Sequence, residues 1–254
     1  MQTRPYYDQR YDRSYDQLAD QLRASRNLVL GVFIAILVAL VLMRLMPEDA
    51  TPLTGKVMVL LSPTLAAASI GAYVGRRITG WLPLIGLFLV SVIGLFVIRA
   101  AGGSDLAVAL LLGWGFVNGM ILGPLVGFAI AEQGPAIVLE ALVGTTAVMV
   151  GTGFIALTTH INFSFLMPLL FLGLLGLIVV GLIGIFVRFS RTTNIFYSII
   201  GMGVFALYFL YDFYKVDRSR NTWDAAIQLT TRLYLDFANF FIMLLRFLMA
   251  TRRR

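Results

Sequence analysis

Long apolar segments separated by short polar breaks follow one another along this sequence from residue 28 almost to its end. Each segment approaches or exceeds the roughly 20 predominantly apolar residues that a helix needs to cross a bilayer. The breaks are rich in Gly, Pro and charged residues, which end helices. The pattern therefore predicts an all-α fold, a polytopic membrane helix bundle with eight spans. The predicted spans are 28–46, 57–75, 82–99, 106–130, 136–158, 165–187, 194–214 and 227–249.

The two ends of the chain differ from the spans between them. Residues 1–27 are polar, and we predict a partly disordered tail whose second half forms an interfacial helix. Four aspartates in this tail argue against a mitochondrial transit peptide, which is poor in acidic residues. Residues 250–254 end in three arginines directly after an apolar segment, so we interpret them as a basic tail at the membrane edge.

Composition excludes several classes of function. The chain is 59% hydrophobic and 13% charged, whereas a soluble domain is about 45–50% apolar and about a quarter charged. A soluble enzyme and a nucleic-acid-binding domain are therefore excluded as the main interpretation. The chain has no cysteine and one histidine, which excludes thiolate and multi-histidine metal sites. The net charge of +7 fits basic residues at cytoplasmic helix ends, so the expected partner is the lipid bilayer and not a nucleic acid.

Four glycines recur every fourth residue in the span 106–130, at Gly115, Gly119, Gly123 and Gly127. This spacing puts them on one face of a helix, where small residues let a neighbouring backbone approach closely. We interpret the stripe as a tight helix-packing surface. The alternative is a flexible helix beside a pore.

Two aspartates inside the last two spans are the main candidates for function. Asp212 and Asp236 lie in aromatic surroundings on helices joined by one loop, and ionisable residues inside a membrane are functional candidates by default. An antiparallel hairpin would bring the carboxyls together, and two carboxyls in one apolar site cannot both ionise cheaply, so the pair would titrate as a unit. Alternatively each aspartate is neutralised locally, Asp236 by Arg232 one turn away and Asp212 by Lys215.

Other charged residues lie at or near span ends. Arg99 ends a long apolar run and either snorkels to the interface or acts within the bundle. Glu140 lies about one turn into its helix, where we expect a solvated charge, with a pore residue as the alternative. The span 227–249 carries Arg232 and Arg246 besides Asp236, which predicts a semi-polar helix facing the bundle interior.

Sequence motifs near the C-terminus resemble those of the transmembrane Bax inhibitor motif-containing family. The pair Tyr211-Asp212 resembles the tyrosine-aspartate near the end of that family's sixth helix. The segment LYLDFANFFIMLLR (233–246), which contains Asp236, Asn239 and Arg246, resembles the signature of its seventh helix. The resemblance covers roughly residues 57–249, and the closing signature is its most specific part.

The resemblance implies seven helices, six of them around a poorly selective cation pathway and the seventh inside the bundle. It implies a calcium leak controlled by a buried aspartate pair, here Asp212 and Asp236, which would also hold Ca²⁺ transiently. Protons and Ca²⁺ would be the partners of the site, without a tightly bound cofactor, and protein partners stay open. The family's latch arginine corresponds to Arg99, which would bond to Asp212 in the closed state, with Arg76 as the rival. The implied location is the cell membrane of a prokaryote.

This sequence departs from the family pattern in three ways. The span 28–46 is extra, so eight spans are expected. Phe88 stands where some bacterial members have a glutamate, which leaves Arg246 without an evident partner. Arg232 is outside the usual signature and, by competing for Asp236, would blunt pH sensing. Glu140, Asn239, Arg232 and Arg246 are therefore expected modulators.

Three alternatives to a leak channel stay open. A non-transporting membrane regulator or scaffold would use the same bundle and aspartates structurally. An intramembrane aspartyl protease would use two aspartates that share a proton and a water, but the Gly-x-Gly-Asp and Pro-Ala-Leu motifs of that class are absent from this sequence. A proton-coupled transporter would show saturable exchange. The favoured function is a pH-sensitive calcium leak, which is not an enzyme activity.

Overall fold

The computed structural model describes residues 30–159, 161–187 and 189–252, and within these ranges the chain folds into eight α-helices joined by short loops. A single 3-10 turn at Phe163–Phe165 precedes the sixth helix. The helices are α1 (Leu30–Leu45), α2 (Leu53–Gly75), α3 (Trp81–Ala101), α4 (Asp105–Gln133), α5 (Ala136–Thr158), α6 (Leu166–Phe186), α7 (Arg191–Arg218) and α8 (Trp223–Arg252).

The predicted helical membrane bundle is confirmed. Helices α2 to α8 are long and apolar enough to cross a membrane, so the protein is an integral, multi-pass membrane protein. Several of these helices extend the predicted spans by polar turns at one or both ends. The described part of the predicted span 28–46 is α1, whose 16 residues cover about 24 Å at 1.5 Å per residue. The polar tail 1–27, residues 28–29 and the last two arginines of the basic tail lie outside the described residues.

Helix ends follow the capping chemistry of the breaks. The side chain of Ser104 accepts a hydrogen bond from the backbone N–H of Ala107 at the start of α4, and Ser190 does the same for Thr193 at the start of α7. Such caps satisfy N–H groups that have no partner within the helix. Gly102 and Gly134, which follow α3 and α4, have φ values of 62° and 81°, a region that residues with a side chain rarely adopt.

Glycines hold α2 and α4 in close contact. A Cβ on Gly119 would lie 2.0 Å from the backbone oxygen of Ala68, and a Cβ on Gly123 would lie 2.3 Å from the backbone of Gly75. The contact is reciprocal, because a Cβ on Gly71 of α2 would lie 2.0 Å from the backbone oxygen of Phe116. The interpretation of the glycine stripe as a tight helix-packing surface is confirmed.

Helix α8 lies inside the bundle, as its charged residues predicted. It contacts α2, α4, α5 and α7, and half of its apolar stretch is buried (50%), against 11% of α3. Helices α7 and α8 form an antiparallel hairpin closed by the loop 219–222. The aspartates predicted to work together therefore lie on two adjacent central helices.

A lysine closes the end of the bundle that carries the α7–α8 loop. Lys56 is fully buried, and its ammonium donates to the backbone oxygens of Glu48 (2.6 Å) and Asn221 (3.0 Å) and to Oδ1 of Asn221 (3.0 Å). Glu48 Oε1 in turn accepts from the backbone N–H of Trp223 at the start of α8 (3.1 Å). We call Lys56, Glu48, Asn221 and Trp223 the Lys56 clasp, and this end of the bundle the clasp end.

Candidate functional site

The structure brings the two predicted aspartates together. Asp212 of α7 and Asp236 of α8 are 4% and 6% exposed, and their carboxyl groups lie within hydrogen-bonding reach of each other. Oδ2 of Asp236 is buried and has no hydrogen-bond partner within the described residues. Two ionised carboxylates at this short distance repel each other strongly when both are buried away from water. A shared proton instead lets one carboxyl donate a hydrogen bond to the other. The geometry is that of a proton-sharing pair, and its role in gating stays a prediction.

A cationic side of the pair faces the clasp end. Arg232 Nη1 lies 3.8 Å from Asp212 Oδ1, and the Arg232 side chain is 53% exposed. Lys215, on α7, adds its positive field to Asp212. Lys215 and Arg232 both lie nearer to the α7–α8 loop than the aspartates do, and the half-exposed Arg232 side chain makes this the more solvent-accessible side of the pair. The prediction that Arg232 pairs with Asp236 is corrected here, because the ion pair forms across the hairpin with Asp212.

An aromatic side of the pair faces the opposite end. Phe209 lies one turn from Asp212 and Phe240 one turn from Asp236, both away from the α7–α8 loop. The two rings are buried, and their centroids are 5.9 Å apart, which is a packed aromatic contact. We call Phe209 and Phe240 the ring pair. The carboxyl pair is thus bounded by charges on one side and by apolar rings on the other.

Arg99 does not occupy the predicted latch position. Its side chain is exposed in the last turn of α3, a helix that packs mainly on α4 and leaves most of its surface outward. Arg99 forms no ion pair with any described residue, and the guanidinium beside Asp212 belongs to Arg232. The prediction that Arg99 bonds to Asp212 is therefore wrong for this structure. The rival Arg76 lies exposed at the far end of α2, stacked on Tyr73.

The remaining predicted modulators, as far as the structure describes their contacts, bond to groups other than the carboxyl pair. Glu140 is half-exposed at the start of α5 and pairs with Arg252 at the end of α8, as a solvated helix-end charge does. Asn239 donates to the backbone oxygen of Leu235 in its own helix (2.8 Å). Arg246 is exposed and lines a cavity with Arg191 and Asn194. None of these contacts reaches a carboxyl group of the pair, although Asn239 lies only one turn from Asp236 on α8.

The described residues hold no cluster of three or more His, Asp, Glu or Cys side chains able to bind a metal. Ca²⁺ prefers six to eight oxygen ligands, several of them carboxylates. Two carboxyls alone therefore supply only part of such a coordination shell.

Several features of the site were not found from the sequence. Tyr208 lies near both carboxyl groups, but one more aromatic residue in an aromatic helix carries no signal. Lys56 stands at the end of a polar break beside the predicted span 57–75, a position typical of a solvated lysine, although it is fully buried. The sequence does contain an indication of the ring pair, because Phe209 and Phe240 each lie one helical turn from an aspartate of the carboxyl pair.

Comparison with known proteins places this architecture in a family. The family described as "Inhibitor of apoptosis-promoting Bax1" matches residues 27–253. An uncharacterised protein of Campylobacter jejuni is 30% identical over 207 residues, which cover 77% of this chain and 87% of that protein. An uncharacterised membrane protein of Vibrio cholerae is 33% identical over 197 residues, which cover 74% of this chain and 85% of that protein.

A plant relative shares part of the chain. The protein LIFEGUARD 4 of Arabidopsis thaliana is 33% identical over 123 residues, which are 47% of this chain and 49% of that protein. None of these three relatives bears the name of an enzyme. The family match covers the α7–α8 hairpin that holds the carboxyl pair.

Proposed function

The chain belongs to the Bax inhibitor family, and from this premise we propose that it is a pH-sensitive cation leak with Ca²⁺ as a permeant ion. The observation that carries the proposal is the buried Asp212–Asp236 pair at the centre of the bundle, in hydrogen-bonding reach across the α7–α8 hairpin. The relatives with the widest coverage are bacterial, so we assign it to the cell membrane of a prokaryote.

In the closed state the two carboxyls share one proton. Their hydrogen bond ties α7 to α8, and the ring pair Phe209–Phe240 fills the path beyond them. A cation that enters from the clasp end meets Arg232 and Lys215 first, which repel it, and then two apolar rings that offer it no ligand. Each of these features opposes ion passage.

Loss of the shared proton opens the path. Two adjacent carboxylates repel each other, which weakens the tie between α7 and α8 and favours separation of the helices. The same carboxylates then attract Ca²⁺. Arg232, with its guanidinium 3.8 Å from Asp212, stabilises the ionised form and so favours opening. Cation flux should therefore rise as pH rises.

Calcium flux into liposomes containing the purified protein, measured from pH 6 to 8, tests this function. We expect pH-dependent flux in the wild type and a flat pH profile in Asp212→Asn and Asp236→Asn. Asp217→Asn is the matched control, because Asp217 is a half-exposed aspartate of the same helix, and it should keep the wild-type profile. Unchanged profiles in both pair variants would refute gating by this pair.

The same experiment separates the alternatives. Flux no higher than that of empty liposomes at every pH would indicate a non-transporting membrane regulator or scaffold in which the aspartates hold helices together. Saturable exchange would indicate a proton-coupled transporter. We assign no enzyme activity, and an intramembrane protease would instead reveal itself by aspartate-dependent peptide cleavage in the same liposomes.

A further inference from the structure

A groove lies on the surface of α8 on the side away from α7. Its cavity is about 240 Å³, and α2, α4 and α5 wall it while Tyr234, Phe237 and Phe241 of α8 form its floor. Leu142 of α5 and Ala72 of α2 are among the wall residues, and almost all of the lining is apolar. The outer edge includes the exposed residues Ser69 and Tyr73, so the groove opens sideways, toward the lipid that surrounds a membrane bundle.

One positive charge stands at the end of this apolar groove. Arg76 follows the last residue of α2, lines the groove and is exposed. Its guanidinium lies 3.8 Å from the centre of the Tyr73 ring, a stacked position that holds the group beside the groove. No carboxylate within the described ranges pairs with Arg76. The charge is therefore available to an anion.

The surrounding end of the bundle is positive. This end, opposite the clasp end, carries Arg77, Arg191, Arg246 and Arg252 besides Arg76, and two glutamates among the described residues. Arg252 already pairs with one of them, Glu140. An excess of arginine at helix ends is typical of the cytoplasmic side, where the leaflet is rich in anionic lipids and attracts basic residues.

We propose that this groove binds one anionic phospholipid of the facing leaflet. An acyl chain lies along α8 on Tyr234, Phe237 and Phe241, and the phosphate binds the Arg76 guanidinium. An acyl chain matches the apolar lining, and a planar guanidinium matches phosphate oxygens in two parallel hydrogen bonds. A zwitterionic lipid would offer the same acyl chain, but the ammonium group of its own headgroup would compete with Arg76 for the phosphate. The site lies on a different face of α8 from the ring pair and does not depend on ion conduction.

Native mass spectrometry of the detergent-purified protein, titrated with dioleoyl phosphatidylglycerol or dioleoyl phosphatidylcholine, tests the charge. We expect the wild type to retain phosphatidylglycerol in preference to phosphatidylcholine. Arg76→Gln should lower phosphatidylglycerol retention about fivefold, the effect of one arginine near an anionic lipid. Arg77→Gln is the matched control, since Arg77 is an exposed arginine next in the chain but outside the groove lining. Equal losses in both variants, or no preference in the wild type, would overturn the proposal.

A second pair of variants tests the groove itself. Ala72→Phe places a ring inside the groove and should reduce retention of both lipids, whereas Ala147→Phe places the same ring on the exposed face of α5 and should leave retention unchanged. Wild-type retention in Ala72→Phe would show that the lipid binds elsewhere. Loss of retention in both Ala72→Phe and Ala147→Phe would show that the effect is not specific to the groove, and it would likewise overturn the proposed site.

Discussion

Arg232 Nη1 lies 3.8 Å from Asp212 Oδ1, across the α7–α8 hairpin, although Asp236 is only one turn away on the same helix as Arg232. The arginine side chain is half-exposed, whereas the Asp212 side chain that it faces is buried. A partly solvated cation thus lies at the entrance to a buried carboxyl pair. Such a cation favours the ionised form of the carboxyl group that it faces.

Arg232→Gln should move the pH dependence of calcium flux toward higher pH. Without the guanidinium the pair keeps its shared proton until the solution is more alkaline, so the half-maximal flux occurs at a higher pH. Proteoliposome flux from pH 6 to 9 measures the shift. Arg218→Gln is the control, because Arg218 is a half-exposed arginine at the end of α7 that pairs with Asp217. A shift in the opposite direction would mean that Arg232 holds the path closed, as the latch arginine was expected to do.

Shortening one ring of the ring pair should raise flux at low pH. Phe240→Leu removes the aromatic contact with Phe209 on the side of the carboxyl pair away from the clasp end, the contact that closes the path in the proposed function. The closed state then conducts cations while the carboxyls still share their proton. Flux at low pH therefore rises toward the flux at high pH. Flux at pH 6 measures the effect. Phe196→Leu is the matched control, because Phe196 lies on α7 with its ring 61% exposed. Low flux at pH 6 in both variants would show that the ring pair does not close the path.

The sequence predicted the helices well because membrane spans are dictated by length and apolarity alone. It also predicted that Asp212 and Asp236 meet, since one hairpin with a short loop leaves few other arrangements. The latch position that the resemblance implied for Arg99 is wrong, because whether Arg99 reaches Asp212 depends on how α3 sits in the bundle. Helix α3 is almost uniformly apolar, so its sequence does not reveal which face is buried or that Arg99 ends up exposed.

The buried lysine was equally hidden from sequence reasoning. Lys56 adjoins an apolar run, where a lysine ordinarily snorkels to water. Its burial requires three oxygen acceptors from the 46–52 and 219–222 loops to converge on one ammonium. Loop convergence of this kind leaves no periodic pattern in a sequence.

Lys56→Met should destabilise the protein strongly. The substitution keeps the length of the side chain but removes the ammonium that donates to the backbone oxygens of Glu48 and Asn221 and to Asn221 Oδ1. Each buried acceptor left unpaired costs about 1–3 kcal/mol. Thermal unfolding in detergent, followed by the exposure of buried tryptophan, measures the loss. Arg220→Met is the control, because Arg220 is an exposed residue of the 219–222 loop. This variant should unfold at the wild-type temperature. Equal unfolding temperatures would show that the clasp contributes nothing to stability.

Gly119→Ala should prevent α2 and α4 from packing, although it adds a single methyl group. The new Cβ would lie 2.0 Å from the backbone oxygen of Ala68, and a backbone cannot move aside as a flexible side chain can, so the helices must separate. Small residues at such contacts are the source of close packing in membranes. Gly113→Ala is the matched control on the same helix, because a Cβ there meets no described heavy atom within 4 Å, and alanine favours a helix by up to about 1 kcal/mol over glycine.

Size-exclusion chromatography of the purified variants should give a monodisperse peak for Gly113→Ala and aggregate or low yield for Gly119→Ala. A monodisperse Gly119→Ala with the wild-type unfolding temperature would mean that α2 and α4 do not approach as closely as their glycines allow.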